Sequence, residues 1–283
     1  MNQSAGTRSL GRSTALMASG TAVSRALGFV RNTLLIAAGG LTSTRAGDAF
    51  NVANTLPNIF YMLIAGGVIN AVLVPQVVRA YRSANGQEYV DRLLTVSFVL
   101  LGAATVVLWA LSPVIVRLFV RGDQGDLAAV FALWCVPQIF FYGVYTLLGQ
   151  VLNARGSFGP YMWAPVVNNV VAIAGLVVFV SLYGIWDKPA PGTVEDLSVW
   201  SGGRVALLAA TATLGVVAQA AVLVWPLRRI GFRYRPRRGW RGAGLGSAGR
   251  VAGWTFAALA VGQVGSLVIM AIASLAPDVG KEH

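Results

Sequence analysis

The sequence predicts an all-α, polytopic membrane protein with about seven transmembrane helices. Three observations carry that reading. Apolar residues make up 56% of the 283 residues and charged residues only 11%, against about a quarter charged in a soluble domain. The mean hydropathy is +0.66, more apolar surface than a water-soluble fold of this length hides. Seven stretches reach the roughly 20 mostly apolar residues that cross a hydrocarbon core.

The first run is Thr14–Leu41, interrupted by Arg25 and Arg31. Arg8, Arg12 and the apolar Ala15–Val23 imitate a signal peptide. The run continues to Leu41 without a small-residue cleavage site, so an uncleaved helix is expected. The second run, Asp48–Val78, contains Pro57 and Pro75. The third is Leu93–Val116. The fourth, Leu127–Leu152, contains Pro137, and the fifth, Pro160–Tyr183, contains Pro165. The sixth is Val205–Leu227 and the seventh Val251–Ala276. Prolines inside spans remove backbone hydrogen bonds, and such breaks are tolerated where neighbours or a wet cavity re-satisfy them. Amides stand near these breaks at Asn54, Asn58, Asn70, Asn153, Asn168 and Asn169; interhelical hydrogen bonding is their simplest role.

Charge orients the bundle. The N-terminal tail and every second loop after it hold fourteen arginines, whereas the opposite side holds six basic residues beside most of the acids. Positive loops stay in the cytoplasm, which places the N-terminus inside and, with seven spans, the C-terminus outside. The expected organisation is a cytoplasmic tail over 1–13, a six-helix lobe over 14–230, a basic cytoplasmic loop over 231–250, and a seventh helix with the chain end over 251–283. Arg228–Arg241 is the densest charge run. It has no nucleic-acid fold around it, so it reads as a topology determinant touching anionic lipid.

The inventory excludes several chemistries. Cys135 is the only cysteine and His283 the only histidine. No His/Cys metal cluster, no Ser-His-Asp or Cys-His triad and no internal disulfide can be assembled. Catalytic residues, metal and cofactor are therefore expected to be none. There is no GxxxxGK[ST] loop for ATP, and no lysine in the seventh run for a retinal Schiff base.

Charges inside spans carry the information. An arginine at mid-span costs roughly 2.5–3.5 kcal/mol on insertion scales. Arg25 and Arg31 are about 9 Å apart along a helix axis and about 240° apart around it, so an ideal helix does not present them on one face. Gly28 between them offers a bend that brings both to one cavity. A bundle-facing arginine pairs with a carboxylate or a substrate phosphate; snorkelling is the plain alternative, and it is hard for Arg25 at mid-span. Asp48 is the natural counter-charge for Arg31 or Arg45, and also suits a helix N-cap.

Helix one reads Ser24-Arg25-Ala26-Leu27-Gly28-Phe29-Val30-Arg31, followed by Asp48-Ala49-Phe50, Leu56-Pro57-Asn58, Gly67 and Val74-Pro75. A second block runs Gly149-Gln150-Val151-Leu152-Asn153, Phe158-Gly159-Pro160 and Ala164-Pro165-Val166-Val167-Asn168, and the seventh run adds Gly262, Gln263 and Ser266. In order and spacing this resembles the MviN/MurJ family, lipid II flippases of bacterial cell-wall synthesis. The resemblance implies a multidrug/oligosaccharidyl-lipid/polysaccharide exporter fold, with two lobes around a cationic cavity and alternating access. It implies lipid II as cargo, membrane lipids and the cell-wall synthesis machinery as partners, no nucleic acid, and residence in the bacterial plasma membrane. By position it makes Arg25 and Arg31 substrate-binding, with Arg31 on phosphate. Gly28 and Asp48 become gating residues, and Pro57, Asn58, Asn153, Pro165 and Asn168 helix-break and packing residues.

The chain departs from the family pattern in places. Tyr61, Met62 and Gly66 stand where better-known members carry basic residues and a glutamate, and Asn32 where an acid can follow the arginine. A less charged cavity is expected. The chain stops just after the seventh run, so it is expected to supply the N-terminal lobe of a two-lobed protein. An exporter of another polyprenyl-linked oligosaccharide or of a drug, or an inactive membrane fragment, are the alternatives.

Overall fold

The computed structural model describes residues 3–39, 44–64, 77, 86–186, 195–237, 254, 257, 261, 262 and 265. Eight α-helices are formed among the described residues: α1 (Gln3–Gly39), α2 (Arg45–Ile64), α3 (Gly86–Phe119), α4 (Gly122–Cys135), α5 (Gln138–Ala154), α6 (Gly159–Tyr183), α7 (Gly202–Ala221) and α8 (Val224–Arg229). A single 3₁₀ turn covers Leu197–Val199. Among the described residues there is no strand. The all-helical class stands. Among the described residues four stretches are long and apolar enough to cross a membrane: α3, α4 with α5, α6, and α7 with α8. The seventh predicted run, Val251–Ala276, lies almost wholly outside the described residues.

The helices turn their apolar side chains outward as well as inward. Val106, Val107, Val114, Leu118 and Phe119 of α3 are all more than half exposed, which suits a surface that meets hydrocarbon rather than water. Inside, two apolar clusters form. One joins Ala46, Ala49, Phe50 and Ala53 of α2 to Ala128, Phe131 and Ala132 of α4. The alanines let these backbones approach closely, and the Phe50 and Phe131 rings meet edge to face at 5.2 Å. The second joins Leu93 and Leu94 of α3 to Val151 and Leu152 of α5 and to Leu223, Leu227 and Phe232. In α6 and α7 the amides Asn168, Asn169 and Gln219 fall between the positions that feed these two clusters.

The prolines act unequally. Pro57 and Pro165 lie inside α2 and α6 without interrupting them. Pro137 separates α4 from α5. Lacking an N–H, it leaves the Leu133 carbonyl without its helical donor. Trp109 Nε1 of α3 donates to that oxygen at 2.9 Å, and Thr213 Oγ1 of α7 donates to the Trp134 carbonyl at 2.7 Å. The break is thus held by side chains from two other helices. The predicted sixth run also divides, into α7 and α8, two residues before Pro226.

The start of α2 corrects the expectation for Asp48. Thr44 is the N-cap: its Oγ1 accepts from the Gly47 amide at 3.0 Å, and its carbonyl accepts from Asp48 N at 3.0 Å. The first two amides, of Arg45 and Ala46, donate to Glu195 Oε2 at 2.5 and 3.3 Å. Three of the four orphan donors of the helix start, the amides of Arg45, Ala46 and Gly47, are therefore satisfied, two of them by a carboxylate that also suits the positive end of the helix dipole. Beside Glu195, hydrogen bonds from Ser198 hold the exposed Asp196 carboxyl below its usual range.

Candidate functional site

The site is built around Arg31, at the level where α1 packs on α6. The side chain is half-buried. It borders a cavity of about 60 Å³ whose polar wall is Asn54 of α2, Gln138 and Tyr142 of α5, Asn168 of α6 and Thr211 of α7. The apolar part of the wall includes Leu35, Phe50 and Val216. No Asp or Glu lines it among the described residues. Arg31 Nε is buried without a hydrogen-bond partner. A desolvated donor on a cation costs more than a neutral one when left unpaired.

The wall is itself tied together. Gln138, 1% exposed, donates through Nε2 to Asn54 Oδ1 and to Thr213 Oγ1, each at 3.1 Å. It links α2, α5 and α7 at one point, directly after the Pro137 break. Asn168 donates to Gln219 Oε1 at 2.7 Å. Gly215 of α7 lies so close to Asn168 that a Cβ there would stand 2.3 Å from its Oδ1. Deeper along α5, the Tyr61 and Thr146 hydroxyls share a short hydrogen bond.

The predicted residues separate. Arg31 and Asn168 border the cavity. Arg25 is exposed and makes no ion pair with a described residue. Gly28 does not bring both arginines to one cavity: α1 is continuous helix through it, a Cβ there would meet nothing within 4 Å, and of the two only Arg31 lines the cavity. The 240° separation keeps the arginines apart. Ser24, next to Arg25, instead takes Asn169 Nδ2 on its carbonyl at 2.9 Å and its hydroxyl at 3.2 Å, binding α1 to α6. Asp48 is exposed and pairs with neither Arg31 nor Arg45; Arg45 pairs with Asp123 at 2.5 Å. Pro57 is buried, Asn58 exposed, and Pro165 half-buried. Asn153 is half-buried with Oδ1 unpartnered. Gln138, Tyr142, Thr211 and Gln219 were missed. Of these only Gln138 carries a local signal, its place after Pro137.

A family profile described as "Lipid II flippase MurJ" matches residues 38–280. The chain belongs to the MurJ family. It is therefore a multi-pass bacterial membrane protein. The match begins after Arg25 and Arg31, so those two stand on geometry and on motif resemblance. The chain is 30% identical over 238 residues to a probable lipid II flippase MurJ of Rhizobium meliloti (strain 1021), covering 81% of this chain and 42% of that one. It is 25% identical over 272 residues to a probable lipid II flippase MurJ of Haemophilus influenzae, covering 90% and 49%. A solved structure titled "Lipid II flippase MurJ, inward closed conformation" superposes with a TM-score of 0.63 at 17% identity, over 90% of this chain and 49% of that one. The fold is thus that of MurJ, and the chain spans about half the length of the relatives it matches or less.

Proposed function

We propose that this chain is the N-terminal lobe of a lipid II flippase in the bacterial plasma membrane, with its N-terminus in the cytoplasm. The lobe spans 14–230, followed by the basic loop 231–250 and the seventh helix. It works as a transporter that carries the undecaprenyl-pyrophosphate-linked precursor from the inner to the outer leaflet. One observation supports the reading above the others: a half-buried arginine with a free Nε borders a polar cavity whose described lining holds no carboxylate. A guanidinium there donates to pyrophosphate oxygens in bidentate geometry with little competition from water. The cavity of about 60 Å³ has room for a few waters at about 10–15 Å³ each, not for a disaccharide head group. Loading therefore requires the helices, or a facing second lobe, to move apart. In this reading Arg25 is the second substrate-binding arginine, and Gly28 and Asp48 take part in gating, Asp48 at the outer mouth.

The half-length match favours a second reading, in which this lobe alone is inactive. One experiment decides. With the resident flippase shut off, the chain is expressed and its membrane insertion checked. An externally added enzyme then cleaves displayed lipid II. Cleavage at the resident level means that the 283 residues suffice. No cleavage, with a two-lobed homologue restoring it in parallel, means that the lobe needs a partner. Normal cleavage by an Arg31→Ala equivalent in that homologue sinks the assignment of the phosphate to Arg31.

A further inference from the structure

The arginines at the end of α7–α8 are not alike. The segment after α8 turns back at Gly231, whose φ is 78°, and crosses to α3. There Tyr234 OH bonds Thr95 Oγ1 at 2.9 Å and the Tyr234 ring meets Phe98 edge to face at 5.6 Å. The Arg237 guanidinium lies 3.5 Å from Glu88. Arg155 donates to the Ile230 carbonyl at 3.2 Å and to Gln87 Oε1 at 3.0 Å. Arg229 lies 3.8 Å over the Trp225 ring. Arg228 and Arg233 are exposed, and no carboxylate among the described residues pairs with either. Both border one groove of about 660 Å³, whose floor is Phe98, Val144, Leu148 and Leu227. That volume falls within the roughly 300–1,000 Å³ of small-molecule sites.

An apolar trough with two unpaired guanidinium groups on its rim matches an amphiphilic anion. Guanidinium forks recognise phosphate oxygens, and the floor offers hydrocarbon contact to a chain descending along α3 and α5. Trp225, 61% exposed beside Arg229, fits the depth of a membrane–water interface. We infer that this groove is a specific site for one anionic phospholipid, its phosphate held by Arg228 and Arg233 and one acyl chain lying on Phe98, Val144 and Leu148. The site is separate from the Arg31 cavity and does not rest on the flippase reading.

The test uses the full chain, reconstituted in phosphatidylcholine with and without phosphatidylglycerol and analysed by native mass spectrometry. One phosphatidylglycerol per chain is expected, retained about thirtyfold over phosphatidylcholine, about fivefold for each arginine near the surface. Arg228→Gln with Arg233→Gln removes the preference, while Arg229→Gln keeps it. Val144→Trp fills the floor without touching charge, and it also removes the preference. Soluble glycerol phosphate does not compete. Equal retention of both lipids overturns the inference, as does a preference that survives Val144→Trp, since a general attraction of the basic segment then suffices. Competition by glycerol phosphate overturns it too, leaving a phosphate site without a lipid one.

Discussion

The two charged regions facing α2 handle their cations in opposite ways. At its start, Arg45 pairs with the exposed Asp123, Glu195 takes two backbone amides and Thr44 takes a third. The cation and three backbone amides there have acceptors from the protein. Two to three turns further along the bundle, Arg31 borders Asn54 with its Nε unpartnered and no acid in the described lining. The first arrangement serves folding: its arginine and its helix-start amides are already paired within the protein, and what stays unpartnered is Glu195 Oε1 with the Trp186 and Trp200 indole nitrogens, not the cation. The second is incomplete in the way a binding site is incomplete before its ligand arrives. The difference teaches that the acceptor, rather than the arginine, separates a structural cation from a functional one.

The largest expected effect breaks the comparison at the cavity. Arg31→Ala in a two-lobed context abolishes lipid II exposure, while helical content by circular dichroism stays unchanged. Arg31→Asp, which places an acid where none lines the cavity, gives the same loss. Next comes the start of α2. Glu195→Ala leaves two amides without an acceptor and costs about 2–3 kcal/mol, read as a lower Tm in detergent; Glu195→Gln keeps an acceptor and loses less. Then Gly215→Ala forces α6 and α7 apart at Asn168 and costs roughly 1–3 kcal/mol as overpacking, again by Tm. Smallest is Asp123→Asn, whose exposed pair with Arg45 is screened by solvent; its Tm is expected to match the parent. A large drop there erases the contrast, since the paired end would then depend on a single surface contact.

Much of this was legible in the residues, for stated reasons. Composition and run length reveal the helices because hydrocarbon demands them. Arg31 stood out because a mid-span charge is costly. Its geometry relative to Arg25 followed from 100° per residue, and the two arginines do not share one cavity. The acceptors were not legible. Gln138 finds Asn54 and Thr213 at separations of 84 and 75 residues, which no local pattern encodes. Asp48 looked like the cap because caps are read locally. The true set, Thr44 with Glu195, combines a neighbour with a residue from the far side of the sequence. The prolines split likewise: Pro137 separates two helices, with Trp109 and Thr213 donating to carbonyls at the break, whereas Pro57 and Pro165 leave their helices continuous, the Tyr161 carbonyl that Pro165 frees taking Tyr145 OH instead.

The Glu195 contact sets an order of events during synthesis. Its partner amide lies 150 residues earlier in the chain. At about 5–20 residues per second, a ribosome needs roughly 8–30 s to reach Glu195 after making Arg45. Through that interval the first two amides of α2 lack the Glu195 carboxylate that takes them in the finished fold. The fastening of α2 is therefore a late step, and a chain stalled before the α6–α7 connection carries a second helix whose start is not yet secured.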